Sequence, residues 1–261
     1  MRFFALVLAL QIATPLAHGN PITNEVRRYG RDFKAIVIGP AHWNRSQWGE
    51  AALAIGSIAV LMHEDEHIAH AIQARRNATT DSISKAVTPF GGGRGLQLSV
   101  ALIGLGLITK NDQVRDTGRD ALESSLIAAG VITPVLKRAF GRARPNQDET
   151  TSHDFDPGTT QDSFPSGHAT NAFALASAIA GNSKGWVVPT MAYTVASSIA
   201  FARMNDNVHW ASDVFAGAVI GSATGRTVAR RHHSNGQRAD WSLVPIGGKH
   251  TVGFLVHVTT R

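Results

Sequence analysis

Pro165-Ser166-Gly167-His168-Ala169-Thr170-Asn171-Ala172-Phe173-Ala174-Leu175-Ala176-Ser177-Ala178-Ile179-Ala180 reads as the end of a loop running into an apolar helix over Ser166–Ala180. Ser166 suits the N-cap, and Gly167 lets the backbone come close to a ligand. A helix start offers unpaired N–H groups and a positive dipole end to an anion. His168 falls in that first turn, where it can hand a proton to a leaving-group oxygen. A capping or packing histidine is the plainer role for the same position.

Two further blocks flank this stretch. Upstream stands Lys137-x6-Arg144-Pro145, downstream Arg203-x5-His209-x3-Asp213. Lys137 precedes Arg144 by about two helical turns. Gly141 and Pro145 predict that this helix stops near Phe140, which leaves Arg144 in the following turn. His209 and Asp213 are spaced i, i+4, so both are expected on one helical face. There the carboxylate can accept the Nδ1 proton, fix the tautomer and leave Nε2 as a nucleophile. Arginines offer a planar fork and lysine a point charge, the groups that hold a tetrahedral oxyanion while its charge spreads over the equatorial oxygens. Singly, each cation reads as a solvated surface charge and the His–Asp pair as a weak surface contact.

The rest of the chain is organised around helices. Apolar Ala51–Met62 continues into His63–Arg76, and Thr80 or Asp81 is expected to cap a short helix that ends before Pro89. Gly91–Gly95 lacks the Gly-Lys-Ser/Thr ending of a nucleotide loop and reads as a hinge or turn. Leu96–Ile108, Asp120–Arg138, Trp186–Ala202 and His209–Arg231 complete the helices, and residues 20–47 read as mostly irregular. Between them, Pro145–Phe164 is a long acidic loop with Asp148, Glu149, Asp154, Asp156 and Asp162. After the polar linker His232–Asp240, alternation at Val252, Phe254, Val256 and Val258 predicts a strand, with Leu243–Ile246 as its hairpin partner across Gly247-Gly248.

With 261 residues the chain can bury a full single-domain core, and its net charge of +6 favours anionic partners. Basic residues are not clustered and aromatics make up only 7%, which argues against nucleic acid. The absence of cysteine excludes disulfides and thiolate chemistry. Met1-Arg2, the apolar Phe3–Leu16 and the small residues Ala17 and Gly19 read as a secretory signal peptide cleaved after Gly19, which puts the mature chain in the periplasm or cell envelope. Apolar segments of about ten to fourteen residues fall short of the ~20 that span a bilayer, and mean hydropathy is −0.04. The expectation is therefore a soluble helical bundle with peripheral membrane contact.

Taken together, K-x6-RP, PSGH and R-x5-H-x3-D resemble the type 2 phosphatidic acid phosphatase (PAP2) superfamily, which includes bacterial acid phosphatases and vanadium haloperoxidases. The resemblance implies an all-α bundle of about six core helices over residues 48–231, followed by the tail 232–261. It further implies a phosphatase for phosphomonoesters or lipid phosphates, with Lys137, Arg144, Ser166, Gly167 and Arg203 binding phosphate. His209 would form a phosphohistidine, Asp213 orient it and His168 protonate the leaving alcohol, with no metal or other cofactor. One departure stands out: the family's serine before the third-block arginine is Ala202 here. Haloperoxidases share the motifs but are typically much larger chains. A zinc peptidase is the remaining alternative, since His63-Glu64-Asp65-Glu66-His67 fits H-E-x-x-H. Its extension fails at His70 and Gln73, leaving only Glu123 as a distant third ligand.

Overall fold

The computed structural model describes residues 21–147, 151–232, 239–248 and 251–260, so the expected signal segment lies outside the described residues. The fold is all-α apart from the C-terminal hairpin. Its helices are α1 Pro21–Ile38, α2 Arg45–Gln73, α3 Ala78–Gly91, α4 Gly93–Ile108, α5 Asp112–Ile127, α6 Thr133–Phe140, α7 Gly167–Asn182, α8 Val187–Asn205 and α9 Ala211–His232. The central helix is α7, with α9, α8 and α5 packed around it.

Several boundaries differ from the sequence expectations, each for a local reason. The segment expected as irregular is the helix α1. At α2 the start is fixed by a reciprocal cap: Gln47 N donates to Asn44 Oδ1 at 2.9 Å and Asn44 N to Gln47 Oε1 at 3.0 Å. The cap of α3 is Asn77, which accepts from Thr79 N and Thr80 N, and the helix runs on through Pro89 to Gly91. Only Gly92 remains of the expected glycine turn, and α3 and α4 meet there at 55°. The helix expected over Asp120–Arg138 is split by a π-helical turn, Ala128–Ile132, just before Pro134. Proline has no N–H to continue the ladder, and Thr133 Oγ1 donates to Ala128 O at 2.9 Å in the break. As expected, α6 ends at Phe140, and Gly141 follows in the left-handed region at φ 56°. A Cβ there would fall 1.8 Å from Asp156 O, so the acidic loop is laid directly on that glycine.

Small residues let α7 and α9 approach closely. A Cβ at Gly217, Gly221 or Gly225 would sit 2.6, 2.3 or 2.5 Å from the carbonyl oxygens of Ser166, Thr170 and Ala174. The core that closes around them joins Ala169, Phe173 and Ala176 of α7 to Tyr193, Ala196 and Ile199 of α8 and to Val214 and Ala218 of α9. Strands β1 (Ala239–Gly248) and β2 (Thr251–Thr260) pair antiparallel, with Leu243 opposite Val256 and Pro245 opposite Phe254 as expected, but Gly247 and Gly248, expected as the turn, are strand residues opposite Val252 and Thr251.

A soluble bundle would turn its apolar side chains inward, and here many point out. Leu53, Ile55 and Val60 of α2, Leu105 and Ile108 of α4, and Val187, Met191, Val195 and Phe201 of α8 are all exposed. Among the described residues no single helix is long and apolar enough to cross a membrane; the bent pair α3–α4 passes that test together.

Candidate active site

The start of α7, the end of α8 and the start of α9 meet at one end of the bundle. Ser166 N donates to Asp213 O at 3.0 Å, which ties the beginning of α7 to α9. Ser166 holds the N-cap position, but its side chain makes no capping bond, and Oγ is buried without a partner. The hydroxyl expected to cap is therefore left unpaired. Lys137 lies alongside: a Cβ on Gly167 would be 3.9 Å from its Cε.

His209 sits in the turn before α9 and not on the helix itself, because α9 begins at Ala211. Asn207 takes a left-handed φ of 57°, and Val208 N returns to Arg203 O at 3.2 Å, so the turn that carries His209 folds back onto the end of α8. Asp213, in the first turn of α9, accepts from Trp210 N at 2.9 Å and from Ser163 Oγ at 2.6 Å. Its Oδ2 stands 3.6 Å from His209 Nδ1, just beyond hydrogen-bonding range, and Nδ1 has no other partner. The i, i+4 pairing survives although the shared helical face does not.

Beneath this pair lies a buried ionic network that motif reading missed. Arg142 is fully buried. It donates from Nη1 to Asp213 Oδ1 at 2.7 Å and from Nη2 to Asp65 Oδ2 at 2.7 Å. Asp65, also buried, accepts from Ser212 N at 2.9 Å. Burial pushes the Asp65 carboxyl up despite Ser212 and Arg142. For Asp213 burial acts the same way, but His209, Arg142 and Ser163 together hold it below the ordinary range.

The cations converge around the two histidines. Burial and then Arg203, His209, Arg144 and Lys137 push His168 down to about 4. Burial also lowers His209, outweighing Asp213, so its imidazole is neutral near pH 7. Lys137 is lowered chiefly by burial and Arg203 by burial together with Arg144. From the acidic loop, Asp162 accepts from Arg144 Nε at 2.8 Å and Nη2 at 3.1 Å, and Lys137 donates to its backbone carbonyl. Burial would raise Asp162, but Arg144 and Lys137 hold it low. Arg203 Nη1 donates to Asp206 at 3.1 Å, while its buried Nε has no partner. All six motif side chains and the start of α7 are thus brought together in one site.

The zinc alternative is not supported by this geometry. His63, Glu64 and His67 are exposed. Glu123 faces away from them, accepting from Arg28 Nε at 3.0 Å. Among the described residues it groups with Asp32 and His232 instead.

Comparison with known proteins agrees with this architecture. A lipid A 1-phosphatase from Porphyromonas gingivalis is 38% identical over 109 residues, which is 41% of this chain but only 21% of that protein. The crystal structure of Aquifex aeolicus LpxE superposes with a TM-score of 0.51 at 22% identity, over 64% of this chain and 94% of that one. A transmembrane PAP2 type phosphatidylglycerolphosphate phosphatase from Bacillus subtilis gives a TM-score of 0.51 at 20% identity, over 79% of this chain and 96% of that one. A profile of the PAP2 superfamily matches residues 121–237, a stretch that encloses all three blocks. By that match, the stretch of the chain that carries the three blocks is similar to the PAP2 superfamily.

Proposed function

We propose that this protein is a phosphatase of the cell envelope that hydrolyses a phosphorylated lipid through a phosphohistidine, without a metal. Lys137, Arg144 and Arg203, with Ser166 Oγ and the Gly167 N–H, bind the phosphate. His209 Nε2 attacks phosphorus in line with the leaving oxygen, and Asp213 takes the Nδ1 proton contact to hold the attacking tautomer. His168 protonates the departing alcohol, and water then cleaves the phosphorus–nitrogen bond to release orthophosphate and free His209. The carrying observation is the gathering of three cations and a helix start around a buried, neutral imidazole.

The lipid assignment rests on the leaving-group side. A Cβ placed on Gly92 would lie 3.4 Å from His168 Nε2, so the α3–α4 bend is next to the proton donor. Phe90 at that bend is exposed, as is Phe201 two residues before Arg203. These rings, continued by the outward apolar faces of α4 and α8, give an acyl chain a surface beside the proton donor. The substrates named for the similar proteins are lipid phosphates. Peripheral contact with the bilayer and export to the periplasm complete the reading.

The test is phosphate release from lipid A, phosphatidylglycerol phosphate, phosphatidate, polyprenyl pyrophosphate and a short-chain phosphomonoester. At least one lipid is expected to exceed the short-chain ester about tenfold in kcat/KM. His209→Ala should lose at least about a thousandfold on all of them. Undiminished phosphate release by His209→Ala would rule the mechanism out, and preference for the short-chain ester would rule out the lipid.

A further inference from the structure

At the far end of the bundle a second cluster of charged side chains is buried, and the phosphatase reading makes no use of it. His232 closes α9, nineteen residues after Asp213, which places it about 28 Å along the helix axis from the catalytic carboxylate. There it meets Asp32 of α1 and Asp120 and Glu123 of α5. Asp32, Asp120 and Glu123 are all buried.

The ligand geometry is half assembled. His232 Nδ1 is 2.7 Å from Asp120 Oδ1, the contact by which a carboxylate sets the tautomer and orientation of a metal-binding imidazole. That leaves Nε2 as the ligand atom, and it points at Asp32 Oδ2 2.8 Å away. The outer oxygens are held by arginines: Arg231 donates to Asp32 Oδ1 and Arg28 to Glu123 Oε2. Glu123 Oε1 is the exception. It belongs to a fully buried carboxylate and has no hydrogen-bond partner. One ligand atom from each of Asp32, Glu123 and His232 lies within 4.8 Å of the others.

A buried carboxylate oxygen facing a second carboxylate needs either a proton or a cation between them. We propose that Asp32, Glu123 and His232 form a binding site for a divalent first-row transition metal ion, of which zinc is the first choice. One imidazole and two carboxylates suit zinc better than magnesium, which keeps a shell of water and oxygen ligands. Its role is structural, because the ligands join the N-terminal helix α1 to α5 and to the last turn of α9.

The full chain, stripped with chelator, is equilibrated in separate runs with Zn2+ and with Co2+ and then freed of unbound metal by gel filtration. Elemental analysis is expected to find about one equivalent, Co2+ to develop visible d–d absorption, and Zn2+ to raise Tm. Asp32→Asn and His232→Ala should each lose the equivalent and the Tm shift, while the double variant His63→Ala, His67→Ala keeps both. If those variants fold poorly, Glu123→Gln, which keeps the side-chain shape, should show the same loss. Absence of bound metal in the unaltered chain overturns the proposal, and so does full retention in Asp32→Asn, His232→Ala or Glu123→Gln. Phosphate release plays no part in these readouts, so this site and the catalytic reading stand or fall separately.

Discussion

Asp162 clasps Arg144 with both carboxylate oxygens, at 2.8 and 3.1 Å, and its Oδ2 lies 3.7 Å from Lys137 Nζ. A phosphate approaching the same fork would present the same two-oxygen edge. On the proposed reading, the acidic loop therefore supplies a carboxylate that competes with substrate for two of its three cations.

Removing that competitor should tighten anion binding. Asp162→Asn is expected to lower the inhibition constant for orthophosphate and the KM for substrate about three- to tenfold, up to ~1.4 kcal/mol, with kcat little changed. Inhibition and steady-state kinetics check this. An unchanged or weaker phosphate affinity would mean that the loop carboxylate helps to hold the cations in place.

His168 gives a pH signature. In the empty site burial and the surrounding cations keep it down to about 4, so at neutral pH it carries no proton. Bound phosphate brings negative charge to those cations and should raise it. The inflection that disappears in His168→Asn is therefore expected at higher pH in kcat, which reports the complex, than in kcat/KM, which reports the free protein. An inflection at the same or lower pH in kcat would remove His168 as the proton donor. The same depression weakens the fold in acid: as pH falls from 6.5 towards 4, the unfolded chain takes up this proton while the folded chain does not.

Arg142 is predicted to be a stability residue. Arg142→Ala strands Asp65 and Asp213 as buried charges, at a cost of about 3–5 kcal/mol, measured by urea unfolding. Arg142→Lys should recover only part of this, since an ammonium cannot fork to both carboxylates. A loss below about 1 kcal/mol in the alanine variant would show that the network is dispensable.

At the departure from the family pattern, Ala202 is buried. Ala202→Ser is expected to change turnover less than tenfold, under ~1.4 kcal/mol of barrier. A hundredfold change in either direction would give that position a direct part in phosphate binding.

The candidate constellation was legible because its spacing survives any detail of helix length: Lys137, Arg144, His168, Arg203, His209 and Asp213 do meet. What supports it was harder to read. Arg142 hides two residues before Arg144 in Gly141-Arg142-Ala143-Arg144-Pro145, where one arginine looks like another. Asp65 looks like part of a polar helix end, yet it shares a face with Ile58, Leu61, Ile68 and Ile72, and a lone carboxylate on such a stripe signals a buried ion pair. Helix α1 escapes apolar periodicity for the opposite reason. It turns Arg28 and Asp32 to the bundle and leaves Val26, Phe33 and Val37 outside. Ser166 follows the capping rule in position but not in bonding, since its Oγ makes no bond to its own helix.

The three bare positions at 217, 221 and 225 carry a lesson for anyone wishing to transplant this chemistry. Each lies against a main-chain oxygen of the helix that begins at Gly167, so neither partner can be exchanged for a generic apolar rod. A graft of His209 and Asp213 onto another scaffold must bring both rods and their shared seam. The smallest portable unit is a matched couple of helices, larger than any short signature written along one of them.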